Sequence, residues 1–161
     1  MVSNRQKSAP DAEIVFRAWC LDRTAITSLC STRIATRLPR NAELPFLTYF
    51  RAGGTPVFPR SEVLIEEAIF PVSCYAGRWG ESGTTAQADY AGAYSLAAAV
   101  QEAAFNESND PITLSDGSKA LIYGFEIYDG ISRIEETETG LGLYTITVGM
   151  TYRYDEWKKL V

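Results

Sequence analysis

The chain has 161 residues, 46% of them hydrophobic and 22% charged, with a formal net charge of −5 and no histidine. That length suits one domain, 1–161, with a core large enough to need no covalent staples. The acidic balance speaks against a nucleic-acid binder that neutralises phosphates, and the missing histidine takes away the commonest general base and the usual partner of a Ser or Cys nucleophile.

Residues 1–9, "MVSNRQKSA", form a polar amino-terminal arm that stays mobile until something ties it down, and they lack the apolar core of a secretory signal. No run of about 18 uncharged apolar residues follows, so a spanning helix is not expected and the protein reads as intracellular when made. In "SAPDAEIVFRAWCLDR" a proline and acidic residues stand where a helix begins, and Ile14, Val15, Ala18 and Trp19 recur at helical spacing. The spacing predicts a first helix packed through Trp19 and Ile14. A short turn, "TAITSLC", leads to "STRIATRLPR", where Pro39 stops a helix and a short strand or extended link is expected.

In "ELPFLTYFRAGG" Phe46, Thr48 and Phe50 alternate with Leu47, Tyr49 and Arg51, a strand opened by Pro45 and buried through Phe46 and Phe50. Gly53 and Gly54 then supply a turn with positive backbone angles between two strands. Residues 61–76 put Leu64, Ala68, Phe70, Val72 and Cys74 on one face and Val63, Ile65, Glu67, Ile69, Ser73 and Tyr75 on the other. Pro71 inside this strand implies an edge position or a bulge.

After the loop "GRWGESG", Thr84 stands three residues before Gln87 in the capping-box arrangement, which predicts the start of the longest helix. Nine alanines lie between Ala86 and Ala104, small enough to bring the helix close to a sheet or a neighbour. "ESNDPITLSDGS" is a loop. "KALIYGFEIYD" is a strand with Leu121, Tyr123, Phe125 and Ile127 on one face. In "GLYTITVGMTYRYDEW" Tyr144, Ile146, Val148, Met150 and Tyr152 oppose Thr145, Thr147, Gly149 and Thr151. The fold expected is α+β: an antiparallel or mixed sheet of four to five strands with two main helices on one face, ending in a short tail, 155–161.

Motifs for chemistry are absent. There is no phosphate loop, no G-x-G-x-x-G and no G-x-S-x-G elbow. Cys20, Cys30 and Cys74 are too widely spaced for a zinc set and read as buried thiols. Glu66 and Glu67, adjacent on a strand, face opposite ways, and Glu135, Glu136 and Glu138 read as a solvated hairpin. Asp110 and Asp116 lack the spacing of a calcium loop. No catalytic residue, metal site or cofactor is expected, and the chain is not expected to be an enzyme. A rival reading, a small-molecule site between helix and sheet using Tyr90, Tyr94 or Arg51, has no convergent polar set to accompany it.

The combination of "RIATRLP", "LPFLTYFRAGG", "EEAIFPVSCYAG", "TAQADYAGAYSLAAAVQEAAF" and "YTITVGMTYRY" resembles the tail terminator and tail-completion proteins of long-tailed bacteriophages over most of 12–154. The resemblance implies a mixed α/β domain that forms a homohexameric ring on the last ring of the tail tube, stops its growth and meets the head–tail connector. The implied partners are other copies of the chain, the major tail tube protein and the connector or stopper protein. DNA would cross the lumen without specific binding, helped by a negative wall, and no membrane is involved. The place implied is the neck of a virion, reached from the host cytoplasm. Candidate interface residues are Arg51, Gly53, Gly54, Trp79, Glu135, Glu136 and Glu138, with an exposed Trp79 as an anchor. Another neck or tail protein, such as a head-completion or tube protein, is the alternative. Tube proteins usually offer more strand and less alanine-rich helix. The polar first nine residues and "DEWKKLV" match nothing in the family's pattern.

Overall fold

In the computed structural model, residues 11–56, 64–107, 109 and 111–154 are described. The two longest antiparallel partners are β4 (Leu64–Arg78) and β8 (Gly142–Tyr154), which stay in register from Leu64 opposite Tyr154 to Ala76 opposite Gly142. Both have the period of two that the sequence shows. Ala68, Phe70, Val72 and Cys74 of β4 and Ile146, Val148, Met150 and Tyr152 of β8 are all essentially inaccessible.

Around this pair the sheet runs β1 (Ile34–Ala35), β2 (Phe46–Tyr49), β4, β8, β7 (Lys119–Ile134), β6 (Pro111–Thr113), while β3 (Gly53–Pro56) and β5 (Gln87–Ala88) also pair with β4. All pairings are antiparallel except that of β1 with β2. The mixed α+β class is as expected, but the described residues form eight strands rather than four to five. The extra ones are two to four residues long, too short to carry a periodicity of their own, and exist because a neighbouring strand offers them hydrogen bonds.

Three helices pack on one face: α1 (Ala12–Leu21), α2 (Thr24–Cys30) and α3 (Tyr90–Phe105). "TAITSLC" is thus a short helix rather than a turn. In α1 the buried stripe is Ala12, Val15, Phe16, Trp19 and Cys20. Ile14 is 49% exposed, a correction that follows from the 100° step: once 12, 15, 16 and 19 face inward, 14 faces out. Phe16 stacks on Phe70 at 4.5 Å between ring centroids and meets Tyr49 at 5.2 Å, while Trp19 meets Phe125 at 4.4 Å.

On β2 the core positions are Leu47 and Tyr49, opposite Cys74 and Val72. Phe50, expected to be buried, lies past the strand's end and is 52% exposed. Phe46 is buried instead on the outer face, in register with Tyr75 and, one strand further, Leu143. Pro71 sits in a central strand, against the edge or bulge expected. β2 covers residues 72–75 of β4 and β3 covers 66–69, so Pro71 falls in the gap between them, where no partner needs its missing N–H.

The longest helix is α3, but it begins at Tyr90. Asp89 is its cap, accepting the Gly92 N–H at 2.9 Å, while the Thr84 hydroxyl is used in a turn with Glu81. Gln87 and Ala88 pair with Arg78 and Gly77, which keeps residues 84–88 out of the helix.

β7 departs most from its sequence pattern. It carries three extra residues against β8, with register shifts at Ile122/Gly124, Ile127/Asp129 and Asp129/Ser132. Each bulge exchanges the faces. Ala120 and Ile122 point inward before the first bulge, Phe125 and Ile127 after it, so Leu121 and Tyr123 do not share a face with the latter two as the alternation predicted. The three cysteines are buried and free. Burial pushes the Cys30 thiol up to about 11, and those of Cys20 and Cys74 well above their ordinary value.

Phe16 joins α1 to both β2 and β4, so Phe16→Ala is expected to lower unfolding stability by about 3–5 kcal/mol through lost burial and a residual cavity. Urea unfolding should show a lower midpoint at unchanged slope.

Candidate functional site

The corner between β2 and β3 is held by charges that the fold itself consumes. The Arg51 guanidinium pairs with Glu66 and its Nε donates to the Gly53 carbonyl at 3.2 Å. The Arg51 backbone N–H donates to Glu13 at 3.3 Å. Glu66, whose side chain is only 12% exposed, also accepts the Tyr152 hydroxyl at 3.0 Å. Burial and the neighbouring Glu66 carboxylate push the Tyr152 phenol well above its ordinary range.

Gly53 and Gly54 are not the turn itself. They begin β3, opposite Ile69 and Ala68, and the bend is made by residues 50–52. Gly54 has φ +125°, and a Cβ there would lie 2.0 Å from the Glu67 carbonyl oxygen, so the strand closes on β4 only because that position has no side chain.

Trp79 and Glu138 come together. They line an open groove of about 920 Å³ with Arg40, Arg78 and Glu81. Trp79 is half-buried rather than exposed, because its indole N–H donates to the Ala42 carbonyl at 2.7 Å and fastens one wall of the groove to the other. Arg40 and Arg78 are exposed and make no ion pair among the described residues, and the two glutamates leave the rim of mixed charge.

The three acidic residues of the β7–β8 hairpin separate into different roles. Glu135 accepts from Arg133 at 2.9 Å and from the Tyr90 hydroxyl at 3.2 Å, with the Arg133 guanidinium 3.5 Å over the Tyr90 ring. Glu136 turns back on its own loop and accepts the Thr139 hydroxyl and the N–H groups of Glu138 and Thr139. Partial desolvation pushes its carboxyl up, but these hydrogen bonds outweigh it and hold the group below its ordinary value. Glu138 alone faces the groove.

Three features are invisible in the sequence patterns. The Trp19 indole N–H donates to Glu107 at 2.5 Å, and Arg23 lies 3.6 Å from the same carboxylate, which is 2% exposed. This ties the end of α3 to α1; the signal was that a buried Trp needs a partner for its N–H. On the outer sheet face, Tyr128 lies across Gly149, where a Cβ would come within 2.3 Å of its ring, and its hydroxyl donates to Glu67. That hydrogen bond pushes the Tyr128 phenol up to about 12. A glycine inside a strand was the available signal here. Third, α3 has Glu102 as its only charged residue, with Tyr94 49% and Phe105 69% exposed. Its outward face thus mixes these two large aromatic side chains with Ser95 and Glu102.

Among the described residues, the three named for a small-molecule site are not brought together. Tyr90 and Tyr94 pack edge-on against Tyr144, whereas Arg51 is bound to Glu66, opposite Tyr152. Eight residues along β8 separate those two places, about 26 Å. Among the described residues no group of three or more Cys, Asp or Glu side chains is placed to hold a metal, and no helix is long and apolar enough to cross a membrane.

Two measurements separate these internal roles from surface roles. Arg51→Met is expected to destabilise the isolated chain by on the order of 2 kcal/mol, since it leaves Glu66 uncompensated in a poorly hydrated place; an arginine used only between subunits would leave the monomer's denaturation midpoint unchanged. The lowered pKa of Glu136 makes its contribution to stability present above the ordinary carboxylate range and lost as pH falls through the folded value. The Tm gap between the native chain and Glu136→Gln should therefore be constant near neutrality and shrink as pH falls below about 4.5.

No protein-family model and no curated protein matches this chain. Its fold does match solved structures. A chain described as "Virion of native gene transfer agent (GTA) particle" superposes with a TM-score of 0.54 at 13% identity, covering 89% of this chain and 98% of that one. At that identity the likeness is one of fold, and it extends over nearly the whole of both chains.

Proposed function

We propose that this chain is a structural, non-enzymatic protein of a phage-like virion, acting as a tail terminator. In this reading copies of the chain form a hexameric ring on the end of the tail tube, stop its elongation and present a surface to the head–tail connector. The observation that carries the virion reading is the fold shared almost end to end with a chain of a gene transfer agent particle. The narrower terminator role draws on the resemblance of the "LPFLTYFRAGG" corner, the alanine-rich helix and the last strand to that family.

The physical surface agrees with work done by association. The charged pairs around Arg51 and Glu135 are closed within the subunit, while Tyr94 and Phe105 on α3 and the cations Arg40 and Arg78 at the Trp79 groove are exposed. In the proposed ring, Trp79 and Glu138 line a contact groove. Arg51, Gly53 and Gly54 set a separate corner toward the other end of β4, and Glu135 and Glu136 shape the hairpin that Glu138 projects from. The tube protein and connector are the other partners, and DNA passes through the lumen unbound. The alternative role within the same class is a different neck protein, such as a head-completion protein.

Sedimentation velocity and negative-stain microscopy of the purified chain, alone and with its tube protein, test this. Closed rings that bind tube ends and shorten the tubes formed in vitro are the expected result. A chain that stays monomeric at high concentration with tube protein present would overturn the proposal, and rings that bind the portal side only would move the role to head completion.

A further inference from the structure

Part of β7 is an open strand edge beneath the flank of a helix. β6 covers only residues 119–121 of that strand, and Asn109, with its side-chain nitrogen turned to the sheet, reaches the Ile122 and Tyr123 carbonyls at 2.9 and 2.7 Å. From Gly124 onward β7 has β8 on one side, while on the other no strand, turn or loop backbone pairs with it among the described residues.

The ladder fixes which peptide groups face the gap. The Leu114 N–H donates to the Ser118 carbonyl at 2.8 Å and Ile112 lies opposite Ala120, so Ala120 turns its peptide groups to β6 and Leu121 turns its own to β8. Arg153, opposite Leu121, then faces β7. Because β8 runs unbroken, Thr151 and Gly149 face β7 too, while Met150 and Val148 face β4. Phe125 and Ile127 stand opposite Met150 and Val148, so their N–H and C=O groups point outward into the gap. Bulges close this stretch at both ends, which leaves 124–127 as a regular edge, enough for a short segment and too little for open-ended stacking.

The two sides of the gap differ in character. On the helix side, Phe125 and Ile127 are only partly buried. Tyr94 of α3 packs on Tyr144, which lies opposite Arg133, so this flank of the helix faces β7. Ala98, Gln101 and the exposed Phe105 continue the flank at helical spacing, whereas Ala103 and Asn106 face α2. On the outer side, Glu126 and Asp129, opposite Gly149 and Thr147, are exposed and make no hydrogen bond or ion pair among the described residues. Arg133, further along β7, is held by Glu135 at 2.9 Å.

A strand added here would put alternate side chains under α3 and the others beside Glu126 and Asp129. Strand addition takes its affinity from main-chain hydrogen bonds and its selectivity from alternate side chains. The sequence that fits therefore alternates apolar with basic residues. The nearest match within the described chain, "RIATR" at 33–37, is already engaged: the Ile34 N–H donates to the Thr32 carbonyl and the Ile34 carbonyl accepts from Arg17.

We propose that residues 124–127 of β7 bind an extended segment of another protein, alternating apolar and basic residues, as an additional strand of the sheet. This adds to the association proposed above the chemistry of one contact, and it does not depend on the ring.

The probe is a seven-residue peptide of alternating lysine and valine, N-methylated along one edge so that it pairs with a sheet but not with itself. Hydrogen exchange of the full chain should show the Phe125 and Ile127 amides fast in the free protein and slowed at least about tenfold by the peptide. The corresponding glutamate and valine peptide should bind at least about tenfold more weakly, and Glu126→Lys with Asp129→Lys should reverse that preference. Serine in place of valine should weaken binding by a similar factor through the lost contact with α3. Three results would overturn the inference: slow exchange at these amides in the free monomer, no protection at about 1 mM lysine peptide, or equal binding of the lysine and glutamate peptides by the native chain. Sedimentation of the same samples separates this edge from the ring. Protection by peptide on a chain that stays monomeric keeps the edge and removes the ring. Rings in which copies protect each other's edge, with no response to peptide, assign the edge to self-association and remove the inference.

Discussion

The continuous antiparallel pairing of β4 with β8 is the constraint from which the other elements take their places. Thirteen residues of each strand stay in register without a slip, and one face of the pair is apolar from Ala68 opposite Met150 to Ala76 opposite Gly142, with Glu66 beyond its end. A sheet that buries one face over that length needs a layer to cover it, and α1 and α3 are that layer. The alanines of α3 let its axis lie close to β4 and β8, while Phe16 and Trp19 of α1 fill the wider space toward β2 and β7. The short strands follow as additions to hydrogen-bonding groups that β4 and β7 and, for β1, β2 would otherwise leave open.

Interruptions in this lattice mark where the surface acquires character. The gap opposite Pro71 separates β2 from β3 and creates the corner that Arg51 and Glu66 close. Three bulges in β7 bend that strand, and Tyr123 and Tyr128 stand at two of them on the outer face. The strap of Tyr128 over Gly149 to Glu67 exists because a bulge places the tyrosine off the pleat while the glycine leaves room beneath it.

The distribution of charge separates internal from external work. Exposed ion pairs contribute at most about 1 kcal/mol each, but the pairs at Arg51 and at Glu107 are partly or largely withdrawn from water and are hydrogen-bonded to Tyr152 and Trp19. They belong to folding. Among the described residues the surface also presents Tyr94 and Phe105 on α3, a groove of mixed charge at Trp79 and a second groove between α1 and β6. The fold that carries them is shared with a chain of a gene transfer agent virion particle.

Much of this was legible residue by residue. Period two determined the faces of β4 and β8, and helical spacing determined the existence of α1 and α3, because these depend on local order alone. Local order could not decide the start of α3, where the capping box at Thr84 lost to two residues of pairing with β4. It could not count the strands, since two-residue strands such as β1 and β5 are defined by their neighbours. Nor could it place Ile14 and Phe50, whose hydrophobicity is real but whose directions were settled by the residues beside them. At the candidate site the sequence named Trp79 and Glu138 separately; only the tertiary structure set them in one groove and turned Glu135 and Glu136 away to other partners. Burial and pairing over tens of residues decide such matters, and no short window contains them.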